Sequence, residues 1–118
     1  MHLSKYRSGN FIVLSIDQPV QLETDLTPLR DQIQKTVNTV CVNVAVRFPE
    51  ESMLRSSSVA DLVISAGHVH SRSGTFALIN PNAGIRRVLK ALGVGNLILI
   101  VESEADLAQY RTRAMYAA

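Results

Sequence analysis

Apolar positions along this chain recur with two periods, one of strands and one of helices. FIVLSI, residues 11 to 16, is a short β-rich apolar run and predicts a buried strand. A shorter strand near Leu3 to Tyr6 precedes it, turning through Ser8-Gly9-Asn10. Over QLETDLTPLRDQIQKTVN the residues Leu22, Leu26, Leu29, Ile33 and Val37 form a helical stripe. Thr24 or Thr27 is placed to cap that helix, and Pro28 suits its first turn. TVCVNVAV, residues 39 to 46, is nearly continuous and β-branched, which predicts a strand covered on both faces.

RFPEESMLR is polar and contains Pro49, so it predicts a surface connection. After three serines, Val59, Leu62, Val63 and Ala66 fall at helical spacing, with the pattern fading near His70 and Gly74 as a stop. TFALIN, residues 75 to 80, predicts a strand. Pro81-Asn82-Ala83 then opens a third helix with Ile85, Val88, Leu89 and Leu92 on one face and Gly93 at its end. NLILIV, residues 96 to 101, predicts the last strand, and Ser103 with Asp106 a cap for a terminal helix through about Ala114. Strands and helices alternate, which argues for an α/β fold. The expectation is one domain over 1–118, with a mixed four- to five-stranded sheet and about four helices.

Composition narrows the function classes. Apolar residues make up 47% and charged residues 19%, as in ordinary globular domains. No apolar run reaches the ~20 residues of a membrane-spanning helix. The opening MHLSKYRSGN has no apolar signal region, and a lone Cys41 suits a reducing compartment. A cytoplasmic location is expected. The formal charge is only +2 and the basic residues are dispersed, which argues against nucleic acid as a partner.

Catalytic chemistry finds little footing. GVGN, residues 93 to 96, follows a helix and precedes a strand, the reverse of a phosphate-cradling loop. His68 and His70 diverge by about 200° on a helix, so they read as cations at a helix terminus rather than a metal pair. Cys41 reads as a small core residue, and Glu50 with Glu51 as a solvated acidic patch. No catalytic residue, metal or cofactor is expected, and the protein is read as a non-enzyme.

MLRSSSVADLV, residues 53 to 63, raises a sharper question. One hydroxyl is enough to cap a helix, yet Ser56, Ser57 and Ser58 stand together before the apolar run. A helix start is one reading and a modified or bound serine the other. Arg86 and Arg87 read as solvated, and Asn80 with Pro81 as the setting of a turn.

The run GTFALINPNAGIRRVLKALGV, residues 74 to 94, with NLILIVESEADL, residues 96 to 107, resembles the STAS domain of bacterial anti-sigma factor antagonists. The match covers the family's glycine, apolar strand, Asn-Pro, short Arg-Arg helix and last strand, and the element order is also the family's. The family's Asp-Ser-Ser-Gly motif aligns with Arg55-Ser56-Ser57-Ser58, with arginine for the aspartate and serine for the glycine. The resemblance implies phosphorylation at Ser56, with Arg55, Ser57 and Ser58 facing a partner. It implies an anti-sigma factor that is a serine kinase, released on phosphorylation, and a phosphatase that resets the switch. A STAS scaffold, sensor or transport-accessory module without a phospho-switch is the alternative. Monomer and weak homodimer both remain open.

Overall fold

In the computed structural model, which describes residues 1–39 and 43–110, the chain starts as a tight hairpin. Strand β1 (Leu3–Ser8) pairs antiparallel with β2 (Phe11–Ile16), from Leu3 opposite Ile16 to Ser8 opposite Phe11. Only Gly9 and Asn10 link them, and Gly9 has φ +59°, a left-handed turn position where a Cβ is penalised. Helix α1 (Thr27–Thr39), β3 (Val44–Arg47), α2 (Ser56–His70), β4 (Phe76–Ile79), α3 (Ala83–Ala91), β5 (Leu99–Val101) and a 3-10 helix (Glu104–Gln109) follow. The five strands lie in the order β1-β2-β3-β4-β5, and all pairs after the hairpin are parallel.

The strand period of two divides the core. Ile12, Leu14, Val44, Val46, Phe76 and Leu78 point to the face carrying the helices. There they meet Leu29, Ile33 and Val37 of α1, Val59, Leu62 and Ala66 of α2, and Ile85 and Leu89 of α3. Phe11, Val13, Ala45, Ala77, Ile79 and Val101 point the other way, toward Leu107 of the 3-10 helix. Both faces are therefore apolar, which is why the central strands are unbroken hydrophobic runs.

Several expectations are corrected. Thr39 ends α1 and β3 begins at Val44, so the strand expected over 39–46 is shorter; Cys41 and the other residues of 40–42 lie outside the described residues. β5 begins at Leu99 because Leu97 N–H turns back to the Val94 carbonyl instead of entering the sheet. The last element is a 3-10 helix over 104–109, with the Ser103/Asp106 capping box in place; residues 111–118 lie outside the described residues.

The helix ends also differ in detail. Neither Thr24 nor Thr27 caps α1: the Asp25 carboxylate accepts the Thr27 N–H at 2.9 Å, and Thr24 Oγ1 closes its own turn on Gln21 N–H. Leu22 and Leu92 leave their stripes and are 47% and 46% exposed. Gly93 ends α3 at φ +69°, but after α2 the left-handed residue is Ser73, at φ +61°, not Gly74.

Candidate functional site

Because β2 to β5 run parallel, the loops that follow them, 17–26, 48–55, 80–82 and 102–103, leave the same end of the sheet. The ends of α/β strands are where such folds place ligands and partners. Here the loops are bonded to one another. Met53 N–H donates to the Val20 carbonyl at 2.7 Å, and Val20 N–H donates to Ser52 Oγ at 3.0 Å. Asn82 Nδ2 donates to the carbonyls of Glu50 at 2.6 Å and Ser52 at 2.8 Å. Its Oδ1 accepts Ile85 N–H at 2.8 Å, capping α3. Asn80, at φ +45°, donates its N–H to the Val101 carbonyl at 2.7 Å.

This frame presents the start of α2. Its N-cap is Arg55, with extended backbone (φ −96°, ψ 169°) and no side-chain cap bond, so none of the three serines occupies the cap. The first helical bond runs from Val59 N–H to the Arg55 carbonyl at 3.1 Å. The N–H groups of Ser56, Ser57 and Ser58 precede any intrahelical acceptor and give this end a partial positive charge. Ser56 and Ser57 are exposed with Arg55. Ser58 is only 2% exposed, so of the three aligned serines it alone turns inward.

The charges around this end are mixed. Hydrogen bonds from the Thr27 N–H and hydroxyl hold the Asp25 carboxyl below the ordinary carboxylate range, and the cations of Arg55 and Arg30 add to this. Arg30 bonds Asp61 at 2.9 Å, tying α1 to α2. Beside the serine loop, Leu22 and Met53, 47% and 48% exposed, form a groove with Ser52, Leu54, Gly84, Arg87 and Val88.

Arg86 is not solvated as expected but built into the frame. Its Nε donates to the Pro81 carbonyl at 2.8 Å and its Nη1 to Glu102 at 3.1 Å. Arg47 donates to Glu104 Oε1 at 3.2 Å, and Tyr6 donates to the same oxygen at 2.5 Å. The Tyr6 hydrogen bond, then Arg47 and Ser8, lower the Glu104 carboxyl below its usual range, while the same contact with Glu104 raises the Tyr6 phenol. These are stitches between β1, β3, α3 and the 3-10 helix. Sequence reasoning missed the carboxylate contacts because each joins residues far apart in the chain.

His68 and His70 lie in the last turn of α2, at the opposite end of the sheet from the serines. Among the described residues no group of three His, Cys, Asp or Glu could hold a metal ion, and no helix is long and apolar enough to cross a membrane.

The hairpin, four parallel strands and helix-covered face define a STAS-like α/β domain, as the resemblance implied. No protein-family model matches the chain, and no curated protein matches it in sequence. Solved structures do match in fold. The anti-sigma factor antagonist SpoIIAA in its unphosphorylated form superposes with a TM-score of 0.73 at 16% identity, over 92% of this chain and 95% of that one. The Bacillus cell fate determinant SpoIIAA in the phosphorylated form gives 0.68 at 16% identity, over 93% of this chain and 100% of that one. TM1081 from Thermotoga maritima gives 0.71 at 16% identity, over 91% and 92%.

Proposed function

We propose that this protein is a protein-binding regulator, an anti-sigma factor antagonist whose hold on an anti-sigma serine kinase ends when Ser56 is phosphorylated. The observation that carries the reading is the exposed Ser56 at the first position of α2, on a loop frame braced by Asn82 and Ser52. A phosphoserine carries about −1.5 to −2 charges and is well tolerated at a helix N-terminus. The fold is thus undisturbed while the surface changes. A partner that had buried the neutral hydroxyl would meet an unpaired dianion, which weakens the complex. Arg55 and Ser57 share the exposed surface and are the other proposed contacts; Ser58 is buried and supports the helix from below. The fold shared with SpoIIAA in unphosphorylated and phosphorylated forms supports this reading. A phosphatase would reset the switch, and a cytoplasmic location follows from such partners.

Arg55, standing where the family has a carboxylate, favours a second reading in which the domain binds a protein without a phospho-switch. Capture of partners from native lysate separates the two, with wild type, Ser56→Ala and Ser56→Asp side by side and phosphosite mapping of the wild type. The switch predicts a kinase-type ATPase retained by wild type and Ser56→Ala, lost by Ser56→Asp, and phosphate on Ser56. Identical partners for all three, with no phosphate on Ser56, would favour the second reading.

A further inference from the structure

The groove beside the serine loop has a composition that specifies its occupant. Leu22 and Met53 are large apolar residues that remain 47% and 48% exposed, and they meet Leu54 and Val88 along one cleft. The Met53 loop is held by the Val20 and Ser52 bonds and by both carbonyl contacts of Asn82. A braced apolar cleft loses little entropy on binding, so its area is available for affinity. Gly84 lines the cleft without a side chain, and a Cβ there would meet Asn82 Oδ1 at 3.4 Å, about van der Waals contact.

Among the described residues, Arg87 is the one charged residue lining this cleft. It is exposed and, like Arg7, Arg55 and Arg72, makes no ion pair among the described residues. An unneutralised guanidinium on an apolar wall fits a carboxylate beside an apolar side chain. We infer that the groove of Leu22, Met53, Leu54 and Val88 receives an apolar side chain of an acidic segment of the partner protein, whose carboxylate pairs with Arg87.

This inference rests on the proposed protein-binding role and supplies the sign of the switch. Leu54 is two residues from Ser56. A phosphate there repels an acidic partner segment and would instead attract a basic one. An acidic partner segment of the kind Arg87 selects therefore adds charge repulsion to the cost of burying the phosphate. The charge reversal at Arg55 is consistent with it, since arginine favours a partner carboxylate where the family's aspartate would oppose one.

The test is a selection of random displayed peptides on the full-length unphosphorylated protein, followed by titration of the selected peptides with amide-resolved NMR. Peptides pairing Asp or Glu with a large apolar side chain should be enriched and should shift the amides of Met53, Leu54, Gly84 and Val88. Binding should weaken about tenfold in Arg87→Glu and also fall in Met53→Ala. Arg87→Gln, an uncharged exposed change, checks that the loss follows charge rather than folding. Basic consensus peptides, unchanged affinity in both Arg87 variants, or no enrichment over a surface lacking the protein would overturn the inference. Ser56→Ala should bind the peptides as wild type does, so a failed phospho-switch leaves this result standing, and a failed groove leaves the Ser56 result readable.

Discussion

Asn82 donates to the Ser52 carbonyl oxygen at 2.8 Å across thirty positions of sequence, while its own Oδ1 caps α3 at Ile85. One side chain thus sets both the start of α3 and the path of the loop that leads to Ser56. The amide is the right group for this because it donates and accepts at once.

Asn82→Ala removes the cap and both loop bonds, and should cost about 2 kcal/mol. Asn82→Asp keeps the acceptor and loses the donors, so it should recover the cap alone. Thermal unfolding gives the total, and hydrogen exchange at Ser52 and Met53 should quicken in both variants. Unchanged exchange there would mean that Asn82 does not hold the loop.

Charge at Ser56 and at Ser58 should have opposite consequences, although the two are one helical half-turn apart. Ser56→Asp places an anion on an exposed helix start and should change stability by at most about 1 kcal/mol, in the stabilising direction. Ser58, 2% exposed, has no such outlet, and Ser58→Asp should destabilise by about 3 kcal/mol. Denaturant titration of the two variants decides this. Equal effects would contradict the inward orientation of Ser58.

Acid should loosen the stitch between β1, β3 and the 3-10 helix. Glu104 is held below its usual range first by the Tyr6 hydroxyl and then by Arg47 and Ser8. A depressed carboxyl contributes stability that is full above its unfolded pKa, about 4.3, and is lost as pH falls through the lower folded value. Tyr6 runs the other way: its raised pKa contributes stability that is full below about pH 10 and is lost as pH rises through the folded value. Tyr6→Phe should therefore flatten the melting-temperature profile below about pH 5 and again above about pH 10. Both groups are partly exposed, so the loss at neutral pH should stay near 0.5–1 kcal/mol after screening.

Arg30 and Asp61 link α1 to α2 at 2.9 Å with side chains 30% and 17% exposed. Asp61→Asn keeps the shape and removes the charge, and should cost about 1 kcal/mol at low salt. Arg30→Gln combined with Asp61→Asn should cost less than the sum of the two single changes. Additive losses would show that the pair is not coupled.

What the sequence determined by itself is the order of elements and most of the core. Phe11 to Ile16, Phe76 to Ile79 and the Ile85/Leu89 face were legible because strand and helix periods are local properties. The apolar runs were legible too, since a parallel strand buried on both faces has no polar alternation to hide it. Ends were less legible. Local spacing cannot say that Asp25 rather than a threonine will hold the start of α1, or that Leu97 will turn back before β5. The serine cluster announced a helix start, but which serine faces solvent depends on how α2 packs against the sheet. That packing buries Ser58 and leaves Ser56 and Ser57 outside. The groove and its frame were decided only in the tertiary structure. Asn82 meets Ser52, Val20 meets Met53, and Leu22 comes beside Val88 through loops distant in sequence. A hydrogen bond between such loops exists only once parallel strands have brought their ends together.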